Sequence, residues 1–384
     1  MLHPKSLFMK LLRRLSAFAL ALLMLSSACV FAQKKKKYIV NGYVGGFRGL
    51  VKTEEIDAEK LTHINYAFVN VQDSLAVLTN LATDSINFRK LNEMKAAKNP
   101  DLKILISIGG WAWSENFSDA VLTVTSRQQF AKSSVDIVRQ FNLDGVDIDW
   151  EYPAMPGEEG NVFRPEDKQN FTLMFKAIRE ELDLLEKEKG RDYQLTTAVG
   201  GSKSFVDNTE MGLAQAYLDY VFIMTYDYGG RNGTVGHHTN LYDYGDNPDV
   251  SSADRSVKNF MAAGVPAGKI VLGAAFYGKG WEAASANNNG LGEKRVKAVQ
   301  GGGYTKLKDT MIDQNGYKKY YDKKARAPYL FNDSTKVLIS YEDEKSIKDK
   351  CKYIKKNNLA GIFFWEYFSD PKEYLITEIS KNLD

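Results

Sequence analysis

The stretch Asp144-Gly145-Val146-Asp147-Ile148-Asp149-Trp150-Glu151-Tyr152-Pro153 decides the fold of this 384-residue chain. Side chains alternate faces along a strand, so Asp147, Asp149 and Glu151 share one side while Val146, Ile148 and Trp150 share the other. A run of acids is ordinarily a solvated face. That reading fails here, because the intervening Val, Ile and Trp belong to a strand that helices must cover. Carboxylates this close cannot all ionise, and sharing protons lifts some of their pKa values into the range of general-acid work. Glu151 is the outermost of the three, and Pro153 ends the strand just beyond it. Asp144 has the opposite parity and reads as a strand-entry or structural residue.

Outward from this stretch, short apolar and β-branched runs recur at 39–43, 64–69, 104–108, 195–199, 220–225, 270–276 and 361–365, which with 145–150 makes eight candidate strands. Between them Phe171, Phe175, Ile178, Leu182 and Leu185 fall on one face of an amphipathic helix. A second helix runs from Phe130 to Phe141, with Ser126 expected as its N-cap. The alternation predicts an α/β protein, and a count of eight predicts a closed (β/α)8 TIM barrel. An open doubly wound sheet is the rival, but no Gly-x-Gly-x-x-Gly turn follows the first strand. In a barrel, the end of the fourth strand lies on the C-terminal rim, where active sites sit.

The spacing breaks once. About 80 residues separate Trp281 from the eighth strand, more than a loop and a helix require. Gly301-Gly302-Gly303-Tyr304, then Tyr317, Tyr320, Tyr321 and Tyr329, with Val337 and Ile339, predict a small α+β insertion over 282–340. The barrel then comprises 38–281 and 341–384, and its last long helix, with Ile347, Cys351 and Ile354 on one face, starts after Asp343.

Residues 1–32 read as a signal peptide: Lys5, Lys10, Arg13 and Arg14, an apolar run over 17–25, and a small-x-small end at Val30-Phe31-Ala32. A secreted or periplasmic protein is expected; lipidation at Cys29 ranks second and an uncleaved anchor last. Cleavage removes four basic and no acidic side chains, taking the formal charge from +3 to −1. The mature chain then gives no electrostatic reason to expect nucleic acid as a partner. Composition, 44% hydrophobic and 26% charged, excludes a disordered or fibrous class. Cys351 is the one thiol left, so no intrachain disulfide can form. His63, His237 and His238 lack the spacing of a metal site, so no metal and no cofactor are expected, and a monomer is assumed.

The chain resembles glycoside hydrolase family 18, the chitinase family, whose strand-four signature Asp-x-x-Asp-x-Asp-x-Glu is filled by Asp144, Asp147, Asp149 and Glu151. Ser107-Ile108-Gly109-Gly110-Trp111, Met224-Thr225-Tyr226-Asp227 and Trp365 follow in order at the third, sixth and eighth strands, and Gly42-Tyr43 and Phe68 agree on the first two. The segment after the seventh strand is similar to the insertion domain of one subgroup. The resemblance implies substrate-assisted cleavage with retention of a polymer or oligomer of N-acetylglucosamine, such as chitin. Glu151 would be the acid, Asp149 would orient the substrate acetamido group, Asp147 would share a proton with Asp149, and Tyr226 would donate to the acetamido oxygen. Trp365 would floor the site, with Trp111 next; Tyr43, Phe68, Ser107, Gly110, Tyr152, Met224 and Asp227 would contact substrate. All five tryptophans lie at or beyond the rim end of a strand, which suits a cleft for sugar rings; Trp150 is better read as core by parity.

One departure bears on substrate. Where many relatives carry a tryptophan after Met224-Thr225-Tyr226-Asp227, this chain has Tyr228-Gly229-Gly230. An endo-β-N-acetylglucosaminidase acting on N-glycan chitobiose cores is therefore the alternative enzyme, and a chitin-binding lectin is the alternative from another class.

Overall fold

The apolar runs form strands because both faces of a barrel wall are buried, one by helices and one by the lumen. The structure, a computed structural model, describes residues 38–230, 232–244 and 251–383. The expected signal segment, with Cys29, lies outside the described residues. In chain order the strands are β1 (Ile39–Gly45), β2 (His63–Gln72) with its antiparallel hairpin partner β3 (Leu75–Val77), β4 (Lys103–Gly109), β5 (Gly145–Asp149), β6 (Gln194–Gly200), β7 (Tyr220–Met224) and β8 (Ile270–Ala275). After β9 (Tyr277–Ala283), β10 (Arg295–Gly303), β11 (Tyr317–Asp322), β12 (Ala327–Asn332) and β13 (Val337–Ser340) comes β14 (Gly361–Trp365).

Parallel pairing runs β1-β14-β8-β7-β6-β5-β4-β2, and β2 pairs with β1 to close the barrel of eight. The helices that cover it include α1 (Leu81–Lys98), α2 (Val124–Gln140), α3 (Asp167–Lys189) and α4 (Glu344–Lys356). Phe171, Phe175, Ile178, Leu182 and Leu185 are all fully buried on α3, as their spacing requires. The N-cap of α2 is Thr123; Ser126 is the third helical residue and completes a capping box with it, which corrects the expectation that Ser126 caps the helix.

Two layers of core follow from strand parity. Outside the wall, Val146, Ile148 and Trp150 pack among helix residues, Trp150 stacking on Phe117 at 5.2 Å and meeting Phe171 edge-on at 5.9 Å. Inside, Tyr43, Ala67, Ala198, Phe222, Tyr226, Val271 and Phe363 fill the lumen. Strands β9 to β13 form a separate five-stranded antiparallel sheet in the order β10-β9-β13-β12-β11. That sheet begins at Tyr277, so a boundary at 282 would cut β9. Trp281, counted at sequence level among the rim tryptophans, is 4% exposed and packs with Val235, Tyr329, Phe331 and Leu338 in this sheet's own core.

Candidate active site

Barrel register brings hydroxyls to the inner acids. Ser107 on β4 and Thr196 on β6 both sit opposite Asp147. Asp147 Oδ2 accepts hydrogen bonds from Tyr43 Oη and Ser107 Oγ, each at 2.8 Å, and Oδ1 accepts from Thr196 Oγ1 at 2.6 Å. Burial pushes the Asp147 carboxyl above its usual range, and these hydroxyls oppose the shift. Asp149, one pleat further out, is pushed up harder: burial acts first, then the charges of Glu151 and Asp147. Its Oδ1 is buried with no hydrogen-bond partner.

Glu151 lies just past the end of β5, held through its backbone. Its N–H donates to Ser114 Oγ at 2.9 Å, and its carbonyl accepts from Asn161 Nδ2 at 3.1 Å. Burial raises the Glu151 carboxyl to about 7; a Tyr152 hydrogen bond opposes that rise and the Asp227 charge adds to it. An acid at this pKa is half protonated near neutrality, as a general acid requires.

A cleft of about 400 Å³ opens above Asp149 and Glu151. Its aromatic lining includes Trp365, Phe68, Trp111, Trp113, Tyr43 and Tyr226. Trp365 and Phe68 lie nearly parallel, with ring centroids 5.4 Å apart and planes 16° apart. Across Glu151 a second chamber of about 290 Å³ shares Glu151, Met224, Tyr226 and Asp227 and adds Tyr152, Met155, Phe205 and Tyr228. Tyr228 is tied back by a 2.8 Å hydrogen bond to Ser256. The Tyr226 hydroxyl is raised well above its ordinary pKa, chiefly by burial and then by the charges of Asp149, Asp227 and Glu151, so it stays a donor.

Asp227 is the charged member of the cleft. Burial would raise its carboxyl, but His238 and Lys279 outweigh this and hold it well below the usual range. Lys279 Nζ lies 2.9 Å from Asp227 Oδ1, Tyr277 Oη donates to the same oxygen at 2.7 Å, and His238 Nδ1 is 3.6 Å away. Tyr277 and Lys279 both belong to β9, so the second sheet delivers residues to the barrel rim.

Most residues read from the sequence meet here: Tyr43, Phe68, Asp149, Glu151, Trp111, Met224, Tyr226, Asp227 and Trp365 all line the main cleft. Tyr152 lines only the second chamber. Ser107 and Gly110 do not line either. Ser107 is fully buried beneath Asp147. Gly110 serves the turn: at φ +79°, a Cβ there would come within 2.6 Å of the Phe68 ring. Gly109 beside it, at φ +106°, would bring a Cβ within 2.4 Å of the Asp149 carbonyl oxygen. Phe47, Tyr277, Lys279 and Ser114 were not singled out by sequence reasoning. The available signal was position: Phe47 follows Gly45-Gly46 just past β1, and Tyr277 lies just past β8. Among the described residues no three His, Cys, Asp or Glu side chains gather as metal ligands.

Carboxylic acids and an indole floor at the C-terminal rim of a (β/α)8 barrel are parts that suit chemistry on a sugar. The family model for glycosyl hydrolases family 18 matches residues 31–370, and the chain belongs to that family. It is 36% identical to chitinase A1 of Niallia circulans over 86% of this chain and 56% of that protein, so it spans little more than half of that relative. It is 31% identical to endochitinase 1 of Metarhizium robertsii over 82% of this chain and 77% of that protein. Among solved structures, a family 18 N-acetylglucosaminidase from Paenibacillus barengoltzii matches at 43% identity with a TM-score of 0.83, covering 90% of this chain and 99% of that one.

Proposed function

We propose that the chain cleaves β-1,4-linked N-acetylglucosamine polymers or oligomers with retention, using the substrate's own acetamido group as nucleophile. One observation carries the reading: Asp149 Oδ1 is buried beside Glu151 without a hydrogen-bond partner. A buried unpaired acceptor is costly unless something arrives to satisfy it. The acetamido N–H of a bound sugar is a donor of the right kind, and the Tyr226 hydroxyl, which lines the same cleft, would hold the acetamido oxygen.

Glu151 gives its proton to the glycosidic oxygen as the bond to C1 breaks, and the acetamido oxygen attacks C1 to form an oxazolinium ion. Asp149 accepts the N–H hydrogen bond and stabilises the developing positive charge, and Asp147 lies within the same proton-sharing set. Water then attacks C1 as the bond from C1 to the acetamido oxygen breaks and the acetamide is restored; the water loses a proton to Glu151, which restores the acid. The acids, the tyrosine and the aromatic floor all come from one chain, which supports a unit acting alone. Export through cleavage after residue 32 belongs to the same proposal, supported by the sequence pattern of the segment.

A second reading, cleavage of N-glycan chitobiose cores, is favoured by one feature: the second chamber, across Glu151, contains Tyr228 and Phe205 and no indole. The test is a side-by-side assay on chitin oligomers and on an N-glycoprotein. Release from the oligomers alone is expected. Release from the glycoprotein alone would replace the first reading with the second.

A further inference from the structure

The outer face of α4 carries one kind of side chain. Ile347, Cys351 and Ile354 are buried on its inner side, while the exposed positions opposite are Lys345, Lys348, Lys352, Lys355 and Lys356. Steps of three and four residues keep them in one stripe, about 16 Å long at the helical rise. Elsewhere an exposed helical lysine meets an acid one turn away: Lys132 with Asp136 at 2.6 Å, Lys176 with Glu180 at 3.8 Å and Lys258 with Asp254 at 2.7 Å. In the stripe only Lys352 has such a partner, Asp349 at 3.4 Å, and that carboxylate already accepts from Tyr321 Oη at 3.0 Å and Arg326 Nη1 at 3.4 Å. No ion pair among the described residues includes Lys345, Lys348, Lys355 or Lys356.

The stripe works against its own helix. Lys348 and Lys352, then Lys352 and Lys356, are like charges one turn apart, and each pair weakens the helix. The helix dipole favours Lys355 and Lys356 at the C-terminal end but opposes Lys345, which stands in the first turn. Lys345 Nζ lies 3.4 Å from the centre of the Tyr321 ring on β11, so the cationic face runs on to the edge of the second sheet, where Arg326 joins it. The chain's formal charge is only +3, so this is local concentration of charge and not a property of the whole surface. α4 packs on the outside of β8 and β14, and none of these lysines lines the cleft.

We propose that this face docks on a surface of anionic phospholipid headgroups and holds the enzyme there with its cleft open. Ammonium groups on long flexible stems suit a plane of separate phosphates; they lack the planar fork with which arginine grips a single phosphate or base. A helix face with no aromatic at its exposed positions also lacks the stacking platforms of a single-strand nucleic-acid binder. Each basic residue beside an anionic bilayer raises binding about fivefold, so the attraction is collective and screened by salt.

The test is co-sedimentation of the full chain with vesicles of phosphatidylcholine alone and of phosphatidylcholine mixed with phosphatidylglycerol. Binding to the mixed vesicles in excess of the neutral ones is expected at low salt and should fall away as salt is raised. Lys348→Gln, Lys355→Gln and Lys356→Gln together should weaken that excess about a hundredfold, three lysines at about fivefold each, without lowering the melting temperature. Lys132→Gln, Lys176→Gln and Lys258→Gln together change the net charge equally and should leave vesicle binding as it was. Equal binding to both kinds of vesicle, no loss in the first triple variant, or the same loss in both variants would overturn the proposal. Salt-sensitive capture by duplex DNA without any excess on the mixed vesicles would overturn it in favour of nucleic acid.

Discussion

The two ends of one short strand treat their acids in opposite ways. At the entry to β5, Asp144 is fully buried against two cations, Lys95 Nζ at 2.6 Å and Arg191 Nη1 at 2.9 Å, and also accepts from the Ile104 N–H at 2.8 Å. At the exit, Asp147, Asp149 and Glu151 have hydroxyls and one another for company; no ion pair among the described residues includes them. An acid that only ties a strand to its helices is neutralised by cations. Acids that must exchange protons are left without cations, and burial lifts their pKa values, helped at Asp149 by the charges of Glu151 and Asp147 and at Glu151 by that of Asp227.

The contrast is best broken at its outer end. Glu151→Gln should lower turnover on a chitin oligomer by roughly 10²–10⁴, the usual worth of general-acid catalysis, and, because its folded pKa is raised, should not lower the melting temperature at neutral pH. Asp149→Asn should lower turnover by about 10², as expected for a lost charge-stabilising group, measured as kcat on the same oligomer. Its effect on stability has a definite sign. The folded pKa of Asp149 is raised, so its favourable contribution is complete below the ordinary aspartate range and is lost as pH rises through the folded value. At neutral pH the carboxylate is therefore a cost, and Asp149→Asn should raise the melting temperature.

Asp144→Asn should do the reverse. Removing the charge opposite Lys95 and Arg191 leaves cations without their partner and should cost about 3 kcal/mol in chemical denaturation, discounted because Arg191 is partly exposed. Opposite signs for the same Asp→Asn change at two positions on one strand would sharpen the comparison; equal signs would erase it. The smallest effect concerns pH. Glu151 must be protonated to act, so kcat/KM should fall as pH rises through about 7. Asp227→Asn removes a charge that raises Glu151, and should move this alkaline limb to lower pH.

Strand parity carried much of this into the sequence. It separated Trp150, which packs under helices, from Asp149 and Glu151, which face the cleft, because alternation depends on the backbone alone. Parity does not report depth along the barrel axis, and Ser107, for which the family resemblance implies a substrate contact, lies buried beneath Asp147. Residue type was a weaker guide at the rim. Trp365 ends the eighth apolar run and Trp281 lies just past the seventh, but the chain after β8 turns straight into β9 and takes Trp281 into a separate core. Phe47 and Tyr277 reach the cleft, and Lys279 reaches Asp227, through turns and a second sheet, where no periodicity inside the barrel strands points to them.

The central claim is that the substrate's own acetamido group does the work of the nucleophile, held by Asp149. The most direct measurement compares hydrolysis of a fully N-acetylated β-1,4 glucosamine tetramer with hydrolysis of the same tetramer stripped of its acetyl groups. The acetylated chain should be cleaved to products that appear first as the β-anomer, and the stripped chain should be left intact. Cleavage of the stripped tetramer at a comparable rate would contradict the account.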